Sequence, residues 1–89
     1  MIEGELTIIN KLGLHARAAA KFVSCANRFG CSVQVANGGS FVDGKSIMSV
    51  MMLAAGKGSV LSLRLDGKDE QAALEALRAL VDDYFGEGE

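Results

Sequence analysis

Over residues 60–65 the chain alternates without a break. Leu61, Leu63 and Leu65 fall on one face of an extended segment, with Ser62 and Arg64 on the other. Such a strand is apolar on one side only. Its sheet must therefore be covered on one face and wet on the other, which antiparallel sheets allow and doubly covered parallel sheets do not. Asp66-Gly67-Lys68 turns the chain at its end. Three weaker segments fit the same sheet. Leu6-Thr7-Ile8, followed by Ile9, stops at Asn10-Lys11-Leu12-Gly13. Residues 31–36 set Val33 and Val35 against Ser32 and Gln34. Asn37-Gly38-Gly39 is a hairpin signal leading into Ser40-Phe41-Val42. The chain has no proline, so its eleven glycines are the punctuation.

Between these segments the period changes to that of a helix. From Ala16, a stripe of Ala19, Phe22, Val23 and Ala26 opposes Arg17, Ala20, Lys21, Ser24, Asn27 and Arg28, and Gly30 ends the run. Ser46 precedes a short helix over 47–55. Its inward candidates are Val50 and Leu53, and Met48, Met51 and Met52 are left without an assigned face. Asp69 is placed to cap a last helix running to about Phe85. Glu70 and Glu75 lie near its positive end, and its buried stripe is Ala73, Leu77, Leu80, Val81 and Tyr84. The order is β-α-β-β-α-β-α. It predicts an α+β, two-layer plan, with a four-stranded antiparallel sheet carrying three helices on one face. At 89 residues the expectation is one domain, 1–89.

The composition removes several function classes. Nine Lys and Arg against eleven Asp and Glu leave a net charge of −2, and there are only five aromatic residues. The chain thus lacks the basic field and stacking surface of a nucleic-acid binder. No apolar run is long enough to insert in a membrane, and Met1-Ile2-Glu3-Gly4-Glu5 lacks the basic start of a signal peptide, so a cytoplasmic location is expected. Cys25 and Cys31 read as reduced packing thiols, and with one histidine they do not make a zinc site. No metal or cofactor is expected.

The single histidine, His15, stands where the loop 10–14 hands over to the first helix. There the first backbone N–H groups have no intrahelical partner, and with the helix dipole and Arg17 they can hold a phosphate. The same positive field disfavours imidazolium. A neutral ring keeps a lone pair and is a nucleophile, and a phosphoryl group attached to it would be held by the amides and Arg17.

The segment Asn10-Lys11-Leu12-Gly13-Leu14-His15-Ala16-Arg17-Ala18-Ala19 closely resembles the active-site segment of the HPr family, the histidine phosphocarriers of the bacterial phosphoenolpyruvate-dependent sugar phosphotransferase system. Gly44-Lys45-Ser46-Ile47-Met48-Ser49-Val50-Met51-Met52-Leu53 is similar to the family's second signature. The resemblance covers essentially the whole chain, and the element order is that of the family's open-faced β-sandwich. It implies that His15 carries phosphate on Nδ1 and that Arg17 is the phosphate's partner. It also implies that enzyme I is the donor, that an enzyme IIA component is the recipient, and that the carrier needs no cofactor.

The match at Ser46 implies a second role, because in many members this serine is phosphorylated by HPr kinase/phosphorylase. The simpler reading of Ser46 is a helix cap. Two departures stand out. Ala18 replaces a frequent proline, and Ser24 and Asn27 stand where many enteric-type members have lysines. Partner docking is therefore expected on Ala16, Ala20, Lys21, Ser24, Asn27, Lys45, Ile47, Met48, Met51 and Met52, with charge from Arg17, Lys21, Arg28 and Lys45. A carrier that meets partners in turn is expected to be a monomer with small interfaces. Two alternatives are a nitrogen-branch carrier with a regulatory output and an adaptor acting through phosphorylated Ser46. The presence of His15 counts against the adaptor. Residues 39–46 also fit the phosphate-loop formula G-x-x-x-x-G-K-[ST], but they begin in a hairpin and leave no room for a nucleotide-binding sheet.

Overall fold

The computed structural model describes residues 1–87. Its elements are β1 (Ile2–Thr7), α1 (Ala16–Ala26), β2 (Ser32–Ala36), β3 (Val42–Asp43), α2 (Ile47–Met52), β4 (Val60–Asp66) and α3 (Glu70–Asp82), closed by a 3-10 turn at Tyr84–Gly86. The strand with the clearest alternation, β4, lies inside the sheet, whose order is β1-β4-β2-β3 with every pair antiparallel. Its register explains the core. Leu61, Leu63 and Leu65 face Leu6, Gly4 and Ile2 of β1, while Leu63 and Leu65 face Val35 and Val33 of β2. The three leucines and both valines are buried, together with Phe22 and Ala26 of α1, Val50 of α2 and Leu77 of α3. On the wet face Glu3 and Gln34 flank Arg64, whose Nε donates to Glu3 at 3.1 Å while its guanidinium lies 4.0 Å from the Phe41 ring centroid. This exposed ion pair contributes about 0–1 kcal/mol at most.

The helices do not form hairpins between neighbouring strands. β1 and β2 are both antiparallel to β4, so α1 carries the chain across it, and α2 likewise carries the chain from the edge strand β3 across β2 to β4. Both crossovers lie on the leucine face, as the two-layer plan requires.

Several boundaries differ from the pattern-based expectation, each for a visible reason. β1 begins at Ile2 instead of Leu6, because Gly4 breaks the apolar alternation in the sequence. A Cβ at Gly4 would come within 2.9 Å of Leu74 Cδ1, so the glycine lets α3 lie directly on the strand. Ile8 leaves the ladder yet still exchanges hydrogen bonds with the 58–59 turn, donating to Ser59 O at 2.8 Å and accepting from Gly58 N at 2.7 Å. β2 starts at Ser32 and β3 is only Val42–Asp43. α1 is wedged between the sheet, α2 and α3, so Ala18 and Cys25 are buried as well, and Val23 is half-buried. α2 ends at Met52, because Ala54 turns left-handed at φ 51°.

The largest difference is at the end of α3. The helix stops at Asp82, and Tyr84 and Phe85 adopt φ of 55° and 54°. The helical stripe therefore does not extend to Tyr84, which is exposed; Leu74 joins the stripe, and Phe85 is fully buried in the core. The two left-handed residues together cost about 2–4 kcal/mol, most of which burying the phenyl ring offsets with about 1.5–3 kcal/mol.

Asp69 precedes α3, but its side chain makes no hydrogen bond to that helix. Its carboxylate accepts instead from Gly30 N at 2.8 Å and Cys31 N at 2.9 Å, tying the end of the α1–β2 turn to the start of α3. The Gly30 amide, followed by that of Cys31, holds the Asp69 carboxyl below its ordinary value of 3.8. The folded chain thus binds this proton less readily than the unfolded one. The stabilisation is complete above the ordinary value and disappears as pH falls through the lowered one. Asp69→Asn is expected to lower the urea midpoint near neutral pH while leaving stability in strong acid unchanged, so the two unfolding curves should converge on acidification.

Candidate functional site

The loop before α1 is built to hold one residue in place. Asn10 is fully buried, and its Nδ2 donates to Gly13 O at 2.8 Å while Gly13 N donates to Asn10 O at 3.2 Å, closing a tight turn. Asn10 Oδ1 has no partner among the described residues. Gly13 is left-handed at φ 67°, and a Cβ there would stand 2.5 Å from Ala55 O, so only glycine fits. Leu14 is buried, and its N–H donates to the same Ala55 carbonyl at 2.8 Å. The loop is thereby fastened to the segment after α2, and the next residue is His15.

His15 is the N-cap of α1, with extended φ/ψ of −69° and 176°. Histidine is not among the usual capping residues, but here its ring fills that role. Nδ1 accepts from Arg17 N at 3.2 Å and Ala18 N at 3.4 Å. Both bonds are longer than the usual ~2.9–3.0 Å, so the lone pair is aimed at the helix amides but loosely held. On the other side of the ring, Nε2 lies 3.1 and 3.0 Å from the two carboxylate oxygens of Glu87. The His15 side chain is 25% exposed.

Arg17 is exposed one residue into the helix and stands at one end of a groove of about 620 Å³ between α1 and α3. Ala20, Arg28, Ala76, Ala79, Leu80 and Asp83 line this groove with it. Cys25 also lines it, with its thiol pushed up by burial. The structure brings Arg17 onto the same helix turn as the amides that face the imidazole. Its guanidinium makes no hydrogen bond to the His15 ring.

Ser46 caps α2, its Oγ accepting from Ser49 N at 3.4 Å. The end of α1 is clasped to the second signature segment, since Asn27 Nδ2 bonds both Val23 O of its own helix and Lys45 O beside Ser46, at 3.0 and 3.3 Å. Ala16, Ala20, Ser24, Asn27, Ile47, Met48, Met51 and Met52 are all exposed. Met48 and Met52 project furthest, at 68% and 79%. The two lysines of this group are each anchored by a backbone carbonyl. Lys21 Nζ donates to Phe85 O at 2.6 Å and Lys45 Nζ donates to Phe29 O at 2.7 Å. The G-x-x-x-x-G-K-[ST] match leads only into α2, six residues long.

Comparison with known proteins agrees with this architecture. The family model described as the phosphotransferase-system HPr component phosphorylation site matches residues 2–83. The chain is 63% identical to the phosphocarrier protein HPr of Pseudomonas aeruginosa, over 96% of each chain, and 56% identical to that of Cupriavidus necator over the full length of both. Among solved structures it superposes on HPr-C-His from Thermoanaerobacter tengcongensis with a TM-score of 0.93 at 42% identity, covering 98% of each chain. The family model and these relatives define a phosphocarrier class. The chain belongs to the HPr family, the phosphocarriers of the phosphotransferase system.

Two residues of the site were not singled out from the sequence. Asn10 reads as a polar loop residue. Glu87 sits in a Gly-Glu-Gly-Glu run that looks like a solvated acidic end. The available signal for Glu87 was Phe85, a large apolar residue just beyond the helix with no stripe to join. Gly13→Ala should strain both the turn and its contact with Ala55. The expected result is a loss of at least about 1 kcal/mol, read as a fall in Tm of about 4–8 °C or more.

Proposed function

We propose that this chain accepts a phosphoryl group on Nδ1 of His15 from phosphorylated enzyme I and passes it to a histidine of an enzyme IIA component, in the sugar branch of the system. The observation that carries this reading is the His15 cap, where a ring nitrogen's lone pair faces two backbone N–H groups at the positive end of α1. In the accepting step the lone pair leaves those long hydrogen bonds and forms the N–P bond as the donor's P–N bond breaks. The phosphoryl oxygens then lie where the Arg17 and Ala18 amides can donate to them, and the Arg17 guanidinium supplies positive charge. The amides thus serve both forms of the protein, so neither direction of transfer requires large rearrangement.

Recognition of both partners is assigned to the exposed face that runs from Ala16, Ala20, Ser24 and Asn27 to Ile47, Met48, Met51 and Met52. Flexible thioethers suit a surface that must fit more than one partner. The protein works as a monomer in the cytoplasm, without a cofactor. A phosphate on Ser46, placed by HPr kinase/phosphorylase, would add negative charge on this face and weaken docking of an acidic partner.

Incubation with phosphoenolpyruvate, magnesium and catalytic enzyme I, followed by intact mass, tests the reading. One acid-labile phosphate is expected, absent from His15→Ala; an unphosphorylated protein beside a positive control would overturn it. His15→Ala also loses a cap, so it should stay folded by circular dichroism with stability lower by about 0.5–2 kcal/mol. Arg17→Ala should accept phosphate about 10- to 100-fold more slowly, as expected for losing a charge-assisted hydrogen bond. Ser46→Asp should raise KM for enzyme I most at low salt, and identical kinetics at low and high salt would remove the electrostatic account. Enzyme I proteins of the sugar and nitrogen branches, compared as donors, assign the branch.

A further inference from the structure

Glu87 lies outside both signature segments, yet the chain adopts strained geometry to bring it to the ring. Tyr84, Phe85 and Gly86 are successive left-handed residues, at φ 55°, 54° and 76°. The turn is fixed by the burial of Phe85, by Lys21 Nζ on Phe85 O at 2.6 Å, and by Gly86 N and Glu87 N donating to Asp83 O and Tyr84 O at 2.8 and 2.9 Å. Strain of this kind persists only where the surroundings over-determine it, and it marks functional segments. Here it delivers a carboxylate only 15% exposed, with both oxygens on His15 Nε2.

We propose that Glu87 is a positioning residue for phosphoryl transfer at His15, holding the Nε2–H so that the lone pair stays on Nδ1 and the charged ring is stabilised. This inference rests on the reading of His15 as the acceptor. An ionised carboxylate can only accept, so Nε2 carries the proton, and the Arg17 and Ala18 amides can only donate, so Nδ1 carries the lone pair. The two contacts select the same tautomer from opposite sides of the ring.

The step balances without any further reagent. Nδ1 contributes its electron pair to the new N–P bond, and the donor imidazole leaves with the pair of the bond that breaks. The His15 ring keeps its Nε2–H and becomes an N-phosphoryl imidazolium. Glu87 faces that positive charge from the side away from phosphorus. On onward transfer the electron pair returns to Nδ1 and the proton never moves. A carboxylate on the second ring nitrogen stabilises an imidazolium without taking its proton.

Glu87→Gln keeps the volume and removes the charge. The expected result is a kcat for acceptance from enzyme I lower by about tenfold, with KM unchanged. The His15 Nε2–H resonance is expected to exchange slowly with water in the original protein and to broaden or vanish in the variant. A merely structural role for the turn would leave that resonance in place. Wild-type kcat in the variant, or a neutral ring protonated at Nδ1 in the original protein, would overturn the proposal. If the original protein accepts no phosphoryl group at all, the acceptor reading itself falls and this inference with it, whatever the resonance shows.

Discussion

Everything in this molecule hangs on the pairing of β4 with strands on both sides. Leu61, Leu63 and Leu65 are buried because they meet β1 on one side and β2 on the other and are covered by the helices. Burying three leucines contributes about 1.5–3 kcal/mol each, a large share of the margin a chain of this size can have. A one-residue slip of β4 would turn all three to water and bring Arg64 into the core, so its register is fixed by cost. Once it is fixed, α1 and α2 must cross on the leucine face, and the loops before them emerge at a defined edge of the sheet. The site is the outcome of that placement.

At the site the same backbone feature is used twice, with different chemistry. A helix start leaves N–H groups without partners, and a side chain must meet them. His15 meets those of α1 with an aromatic nitrogen, and Ser46 meets one of α2 with a hydroxyl. The first is a loosely held lone pair, and the second is an ordinary cap. Asn27 and Lys45 clasp the two helix regions together, so the covering layer is stiffened by polar contacts as well as by packing.

How much of this could be read from the sequence depended on whether a residue's role was local. The strand 60–65 was legible because its period is intrinsic, and the capped histidine because a loop-to-helix boundary has its own chemistry. The α+β order followed. Asp69 was misread because its partners lie 38 and 39 residues away, at the far end of the α1–β2 turn, and no local pattern points there. Tyr84 was misread for a related reason. The helical period carries Tyr84 inward, but the chain gives up that period at Asp83 and pushes the next ring in instead. The ammonium groups of Lys21 and Lys45 turn to backbone carbonyls, which only the folded geometry reveals.

That last feature fixes where the positive charge of these two side chains sits. A carbonyl is neutral, so Lys21 and Lys45 keep their positive charge, and the hydrogen bonds only fix where each ammonium group stands. Ordering a free lysine costs about 1.5–2 kcal/mol of side-chain entropy, and here that ordering is already complete before a second molecule arrives.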